Sequence, residues 1–197
     1  METGAASPLR TAVRMYRRSV RAGAFACELV TRLPWLGARD AHWIAENLSA
    51  LRGTALEVRG DLPDASAAAL VIAEPCAAAA LAVLSAVPLA SMGPSLAARA
   101  EPWWPRGTGA PVLLSTGDAG ELERLAACGA RVVPVAVWLT CPPTGARLAW
   151  PVRTAATRAR LSFGAPLALR PGQAGRDIAA RAVAEIDRLG RLAPQAA

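Results

Sequence analysis

The sequence contains no lysine: all 22 of its basic residues are arginine. That excludes Schiff-base chemistry and the lysine of a nucleotide-binding phosphate loop. Histidine is nearly absent as well, with His42 alone among 197 residues. The four cysteines, Cys27, Cys76, Cys128 and Cys141, form no C-x-x-C pair. With one histidine to assist them they point to no metal site and read as free thiols of a reducing cytoplasm. Aromatic residues are only 5% of the chain, and no nucleic-acid reader motif is present, so nucleic acid is not an expected partner. The first twenty residues lack the apolar stretch of a secretory signal. Ser66 to Gly93 is long enough to span a bilayer, but Glu74 lies within it, Pro75 and Pro88 interrupt it, and it is mostly alanine, which drives insertion weakly.

What is present is apolar and basic. Hydrophobic residues are 53% of the chain and charged residues 19%, with a net charge of +7. The length suits one domain with a full core. The basic excess suits an anionic lipid surface or a phosphorylated ligand. Residues 8–33 read as a helix on which Arg10, Arg14, Arg17, Arg18 and Arg21 form one stripe, while Leu9, Val13, Tyr16, Val20 and Ala24 form another face. Such a helix either lies in a membrane interface or shows a solvated face on a core-packing helix. A second helix is expected over 41–53, with Gly53 as its C-cap.

The remainder alternates strands and helices. Strands are expected at 55–59, 68–73, 110–115 and 131–139, with later strands or edges in "ARLAWPV" and "ARLSFGAPL". Helices are expected at 76–87, 117–129 and 174–193, the last with Ile178, Val183, Ile186 and Leu189 inward. Several strands are apolar on both faces. The fold class is therefore α/β, with a mixed, largely parallel sheet flanked by helices and an N-terminal helical pair. The expected organisation is a basic helical segment over 1–53, an α/β domain over 54–192, and a frayed tail over 193–197.

Three stretches in order, "LEVRGDLPDASAAALVIAE", "GARVVPVAV" and "RLSFGAPL", followed by a closing amphipathic helix, resemble the glycerol-phosphate and lysophosphatidate acyltransferase family along nearly the whole chain. In that family a His-x-x-x-x-Asp block opens the helix after the second strand. The resemblance implies that its histidine takes the proton of the acceptor hydroxyl and its aspartate orients the imidazole. The corresponding stretch here runs from Pro75 to Ala80. Proline stands at the histidine position and alanine at the aspartate position, and neither can accept a proton. No second-block "v-x-R" ending appears between Ala100 and Ala110. The third block, which in the family lines the phosphate-bearing acceptor, is reduced to Ser115, Thr116 and Gly117.

Substitute groups are few. Glu74 and Cys76 adjoin the vacated positions, but a carboxylate near a helix start is favoured in its charged form, and a nucleophilic cysteine needs a base that only His42 offers. His42 lies within a helix and reads as a structural or surface residue. "STGDAGE" either cradles an anion on backbone N–H groups or is an ordinary helix start with acidic first-turn residues. Trp103 and Trp104 either meet lipid or an acyl groove, or form a lid on the core.

The resemblance implies a member of an acyltransferase-like fold that lacks its catalytic block, requires no cofactor and no metal, and sits in the cytoplasm against the inner face of the membrane. Its expected partners are an anionic membrane surface or lysolipid, an acyl-CoA or acyl carrier protein, or a partner acyltransferase. The interface residues would be Arg10, Arg14, Arg17, Arg18, Arg21, Trp103 and Trp104. Two alternatives stay open: an active enzyme moving an acyl group from a thioester to a lysolipid, and an unrelated small α/β binding protein.

Overall fold

A computed structural model describes residues 8–32, 40–52, 54–63, 67–73, 77–88, 90–98, 111–140 and 158–192. Two compact units are present, Met1–Leu36 and Gly37–Ala197. The first contains helix α1 (Pro8–Arg32). The second begins with α2 (Asp40–Arg52), a helix that the sequence grouped with the N-terminal segment. It continues through β1 (Ala55–Arg59), β2 (Ala69–Ile72), α3 (Ala77–Ala86), β3 (Ser91–Met92) and α4 (Pro94–Ala97). Then come β4 (Val112–Ser115), α5 (Ala119–Ala127), β5 (Arg131–Thr140), β6 (Arg158–Phe163), β7 (Leu167–Ala168) and α6 (Gly175–Leu192).

The strands form one sheet in the order β1-β6-β5-β2-β4-β3, with β7 also paired to β5. β2 runs parallel to both β4 and β5, and β1 to β6 and β3 to β4 are parallel too. The β5 pairings with β6 and β7 are antiparallel. This is the mixed, largely parallel α/β sheet that the apolar strands predict.

β5 carries two partners on one edge. Its first residues pair with β7 and its later ones, from Val135, with β6. Pro134 stands at the step between them. It has no N–H to give the ladder, while its carbonyl accepts the Gly164 N–H at 2.9 Å.

Burial on both faces explains β2, whose four residues are all buried. Ala69 and Val71 join Leu114, Leu122, Val132 and Ile178 in one cluster under α5 and α6. Side chains alternate along a strand, so Leu70 and Ile72 face the other layer. There α3 contacts β5 and β6 and is itself backed by α2. α3 has no polar face, and Ala79 through Leu84 are all buried. α2 meets it with Ala41, Ile44, Ala45, Leu48 and Leu51, at the spacings of a single helical stripe. On α6, Ile178, Ala182 and Ile186 are buried as the period requires, while Val183 and Leu189 are only half-buried.

β3 and α4 are absent from the sequence expectations. The "ARLAWPV" segment and the tail 193–197 lie outside the described residues. No helix among the described residues is long and apolar enough to cross a membrane.

Candidate functional site

In an open α/β sheet, ligands meet the loops at the carboxyl ends of the parallel strands. Here those ends belong to the neighbours β2 and β4, with Ile72 beside Ser115. Two bonds from the β4 loop bind them together. The Thr116 N–H donates to the Ile72 carbonyl at 3.0 Å, and Thr116 Oγ1 donates to the Ala73 carbonyl at 2.7 Å.

The next turn, Ser115 to Asp118, folds back on itself. The Asp118 N–H donates to the Ser115 carbonyl at 3.0 Å. Asp118 occupies the N-cap position of α5, yet its carboxylate makes no bond to its own helix. It turns to the strand end instead. Oδ2 accepts the Ser115 N–H at 2.8 Å and the Ser115 hydroxyl at 3.1 Å.

α4 completes this cluster. Gly93 brings its backbone against β4, donating its N–H to the Leu113 carbonyl at 2.7 Å. A Cβ at Gly93 would collide with the Leu114 side chain and stand 2.8 Å from that carbonyl oxygen, so the approach requires glycine. Pro94 then starts the helix at a position where no N–H is needed, and Ser95 reaches Asp118. Its hydroxyl donates to Oδ2 at 2.7 Å and its N–H to Oδ1 at 3.2 Å. The two serine hydroxyls are 3.0 Å apart. One carboxylate at the start of α5 thus collects four donors from two elements, β4 and α4, and Ser115 is 1% exposed. The donors of Ser115 and Thr116, expected from the sequence to face an acceptor phosphate, are engaged within the chain. Gly117 is exposed.

On the β2 side, Ala80 is 1% exposed inside α3. Glu74, Pro75 and Cys76 lie outside the described residues, as do Trp103 and Trp104.

The one imidazole is committed elsewhere. His42 Nδ1 is 2.8 Å from the Leu84 carbonyl. A carbonyl only accepts, so Nδ1 carries the proton. The reason for the contact is readable in the chain. The helical donor for the Leu84 carbonyl would be residue 88, which is proline and has no N–H. His42 supplies the missing donor from α2. A second link between the same helices joins the Ser49 and Ser85 hydroxyls at 2.9 Å. Leu84 lies about 10 Å along α3 from the helix start at Ala77, so His42 serves the far end of the helix.

α1 presents a different surface. Val13 is 43% exposed, Tyr16 71% and Val20 52%; Ala24 is exposed on the same face. Arg17 and Arg21 are exposed and Arg18 is half-buried. The side chains of Arg10 and Arg14 lie outside the described residues. Near the helix end, Glu28 pairs with Arg32 at 2.6 Å.

Cys27 and Cys128 are free and exposed. No group of three or more metal-ligating side chains converges among the described residues. An open groove of about 690 Å³ is lined in part by Pro166, Leu167, Arg170, Gln173 and Arg181. It lies where β7 meets the first residues of β5, at the opposite end of the strands from Ser115.

No protein-family model matches the sequence, and no curated protein matches it. Among solved structures, the chain is similar to the 1-acyl-sn-glycerophosphate (LPA) acyltransferase PlsC from Thermotoga maritima. The TM-score is 0.61 at 11% identity, over 96% of this chain and 98% of that one. The fold is therefore acyltransferase-like, the architecture that the sequence resemblance implies.

Proposed function

We propose that the protein is an acyltransferase-like domain that has lost acyl transfer and acts at an anionic membrane surface, where it binds lysolipid, an acyl donor or a partner acyltransferase. The supporting fold likeness is to an acyltransferase of glycerophosphate lipids. The observation that carries the loss of activity is the filled strand end. Asp118 takes up the donors of Ser115 and Ser95, and Ala80, which the sequence resemblance sets at the position of the orienting carboxylate, is a buried methyl group. Hydroxyl attack on a thioester needs a base near its working pH, and the sole histidine is bonded to Leu84.

The membrane part of the proposal rests on α1. Its uncovered Val13, Tyr16 and Val20 lie beside Arg17 and Arg21, the composition of a helix that lies in an interface and is drawn to anionic headgroups. Trp103 and Trp104 are further candidates for the same contact by sequence alone.

Vesicle flotation tests this reading. The protein should float with vesicles containing phosphatidylglycerol and not with neutral phosphatidylcholine vesicles, and salt should release it. Changing Arg17, Arg18 and Arg21 together to Gln should weaken binding by at least tenfold, at about 1 kcal/mol per basic residue near the surface. Binding that ignores both salt and these three residues would exclude α1 as the interface.

A further inference from the structure

The sheet has two ends of unlike character. At one end β3 contributes two residues and runs on into α4. At the other, β1 is a full strand with one partner, β6, and none on its outer edge among the described residues. Ala55, Leu56, Glu57 and Val58 are all exposed, with Leu56 at 37% and Val58 at 39%. Folded proteins usually blunt such an edge with a proline, charged side chains, a bulge or a covering element. "ALEVR" has no proline and no lysine, and its two charges, Glu57 and Arg59, are of opposite sign. Its one carboxylate, Glu57, is held by Arg59 at 2.8 Å and Arg160 at 3.1 Å.

The strand is also complementary to itself. Leu56 and Val58 share one face, and Glu57 and Arg59 share the other. Suppose two copies meet antiparallel with Val58 opposite Val58. Then Glu57 of each lies across from Arg59 of the other, and the apolar faces run on into one another. Shifting the two-fold axis to Glu57 would set carboxylate against carboxylate, which cross-strand pairing disfavours. We infer that β1 is a self-association edge, pairing antiparallel with β1 of a second copy about a two-fold axis through Val58. The inference is independent of any lipid contact.

The paired segment is short, well below the area of a standard stable interface. The dimer is therefore weak, with a dissociation constant on the order of 10–100 μM.

Sedimentation of the full chain in lipid-free buffer tests this. Wild type should show a monomer–dimer equilibrium in that range. Glu57→Arg puts arginine opposite arginine, and Arg59→Glu puts glutamate opposite glutamate, so each alone should associate about tenfold more weakly. Mixed together, the two variants restore both opposite-charge pairs and should form a heterodimer. A thermal melt of each variant verifies folding. Should either fail to fold, Val58→Cys in a background with Cys27, Cys76, Cys128 and Cys141 all changed to Ser gives a second readout. Its introduced thiols face each other across the axis at a spacing a disulfide can bridge. Oxidised dimer should form with Val58→Cys and not with Glu57→Cys. Three results each overturn the inference: a wild type that stays monomeric to about 0.5 mM, a dimer indifferent to both charge reversals, or equal cross-linking at the two positions.

Discussion

The strand-end loop after β4 and the helix α1 use their polar residues in opposite ways. At the strand end, Ser95, Ser115, Thr116 and Asp118 are bonded to one another or to backbone. On α1, Arg17 and Arg21 are exposed beside an uncovered apolar face. In most α/β proteins the strand ends hold the chemistry and the outer helices serve as cover. Here the described polar groups of the strand end are bonded within the chain, and under the proposed readings the groups left for partners lie on α1 and along β1. The lesson is that polar groups at a strand end can serve as structure, here tying a loop and a short helix to the sheet.

Breaking the closed region should give the largest effects. Ala80→Asp places an unpaired carboxylate in a helix buried on all sides and should cost about 3 kcal/mol or more in a denaturant melt. A variant as stable as wild type would mean that this stretch of α3 is wet and the strand end open. Asp118→Ala leaves two N–H groups and two hydroxyls without their acceptor and should cost about 2–3 kcal/mol. Asp118→Asn should cost less, because its amide oxygen still accepts. Negligible losses for both would make the carboxylate's four contacts incidental.

An intermediate effect is expected at the helix pair. His42→Ala should cost about 1–2 kcal/mol by orphaning the Leu84 carbonyl. The cost should shrink when Pro88→Ala restores the helical N–H, a coupling that a double-mutant cycle reads directly. Additive losses would show that His42 contributes packing alone.

The smallest effect sharpens the contrast from the solvent side. Arg188 beside Glu185 holds that carboxyl below its ordinary range, chiefly through its side-chain hydrogen bond. A lowered folded value means a stabilisation that is present above the unfolded carboxylate pKa and is lost as pH falls through the folded one. Glu185→Gln should therefore cost only a few tenths of a kcal/mol, about 0.3–0.5, at neutral pH. That difference should vanish in strongly acid solution.

Much of the framework is legible in the sequence because its strands are short apolar runs bounded by turn residues. β1 matches its expected limits, β2 and β5 fall within a residue of theirs, and Gly60 and Gly129 both take the positive φ that a turn requires. β3 and α4 escape because two residues and one turn carry no periodicity. Gly93 followed by Pro94 is the signal that remains, and the need for glycine appears only once β4 lies beside it. The Asp118 cluster is hidden for a similar reason. From its spacing, aspartate before "AGE" reads as the cap of the helix it opens, and nothing local shows that it turns back to Ser115 and Ser95. The role of His42 was readable in principle, since Pro88 announces a carbonyl without a donor four residues earlier, but which donor answers it depends on how α2 lies on α3.

The central claim is that the acyltransferase-like framework holds no working base. Release of free thiol from an acyl-CoA or acyl carrier protein thioester, followed in the presence of lysophosphatidate and anionic vesicles, tests it most directly. The account predicts a rate indistinguishable from that of the uncatalysed mixture. Sustained turnover in proportion to protein, abolished by Glu74→Gln or Cys76→Ala, would contradict it.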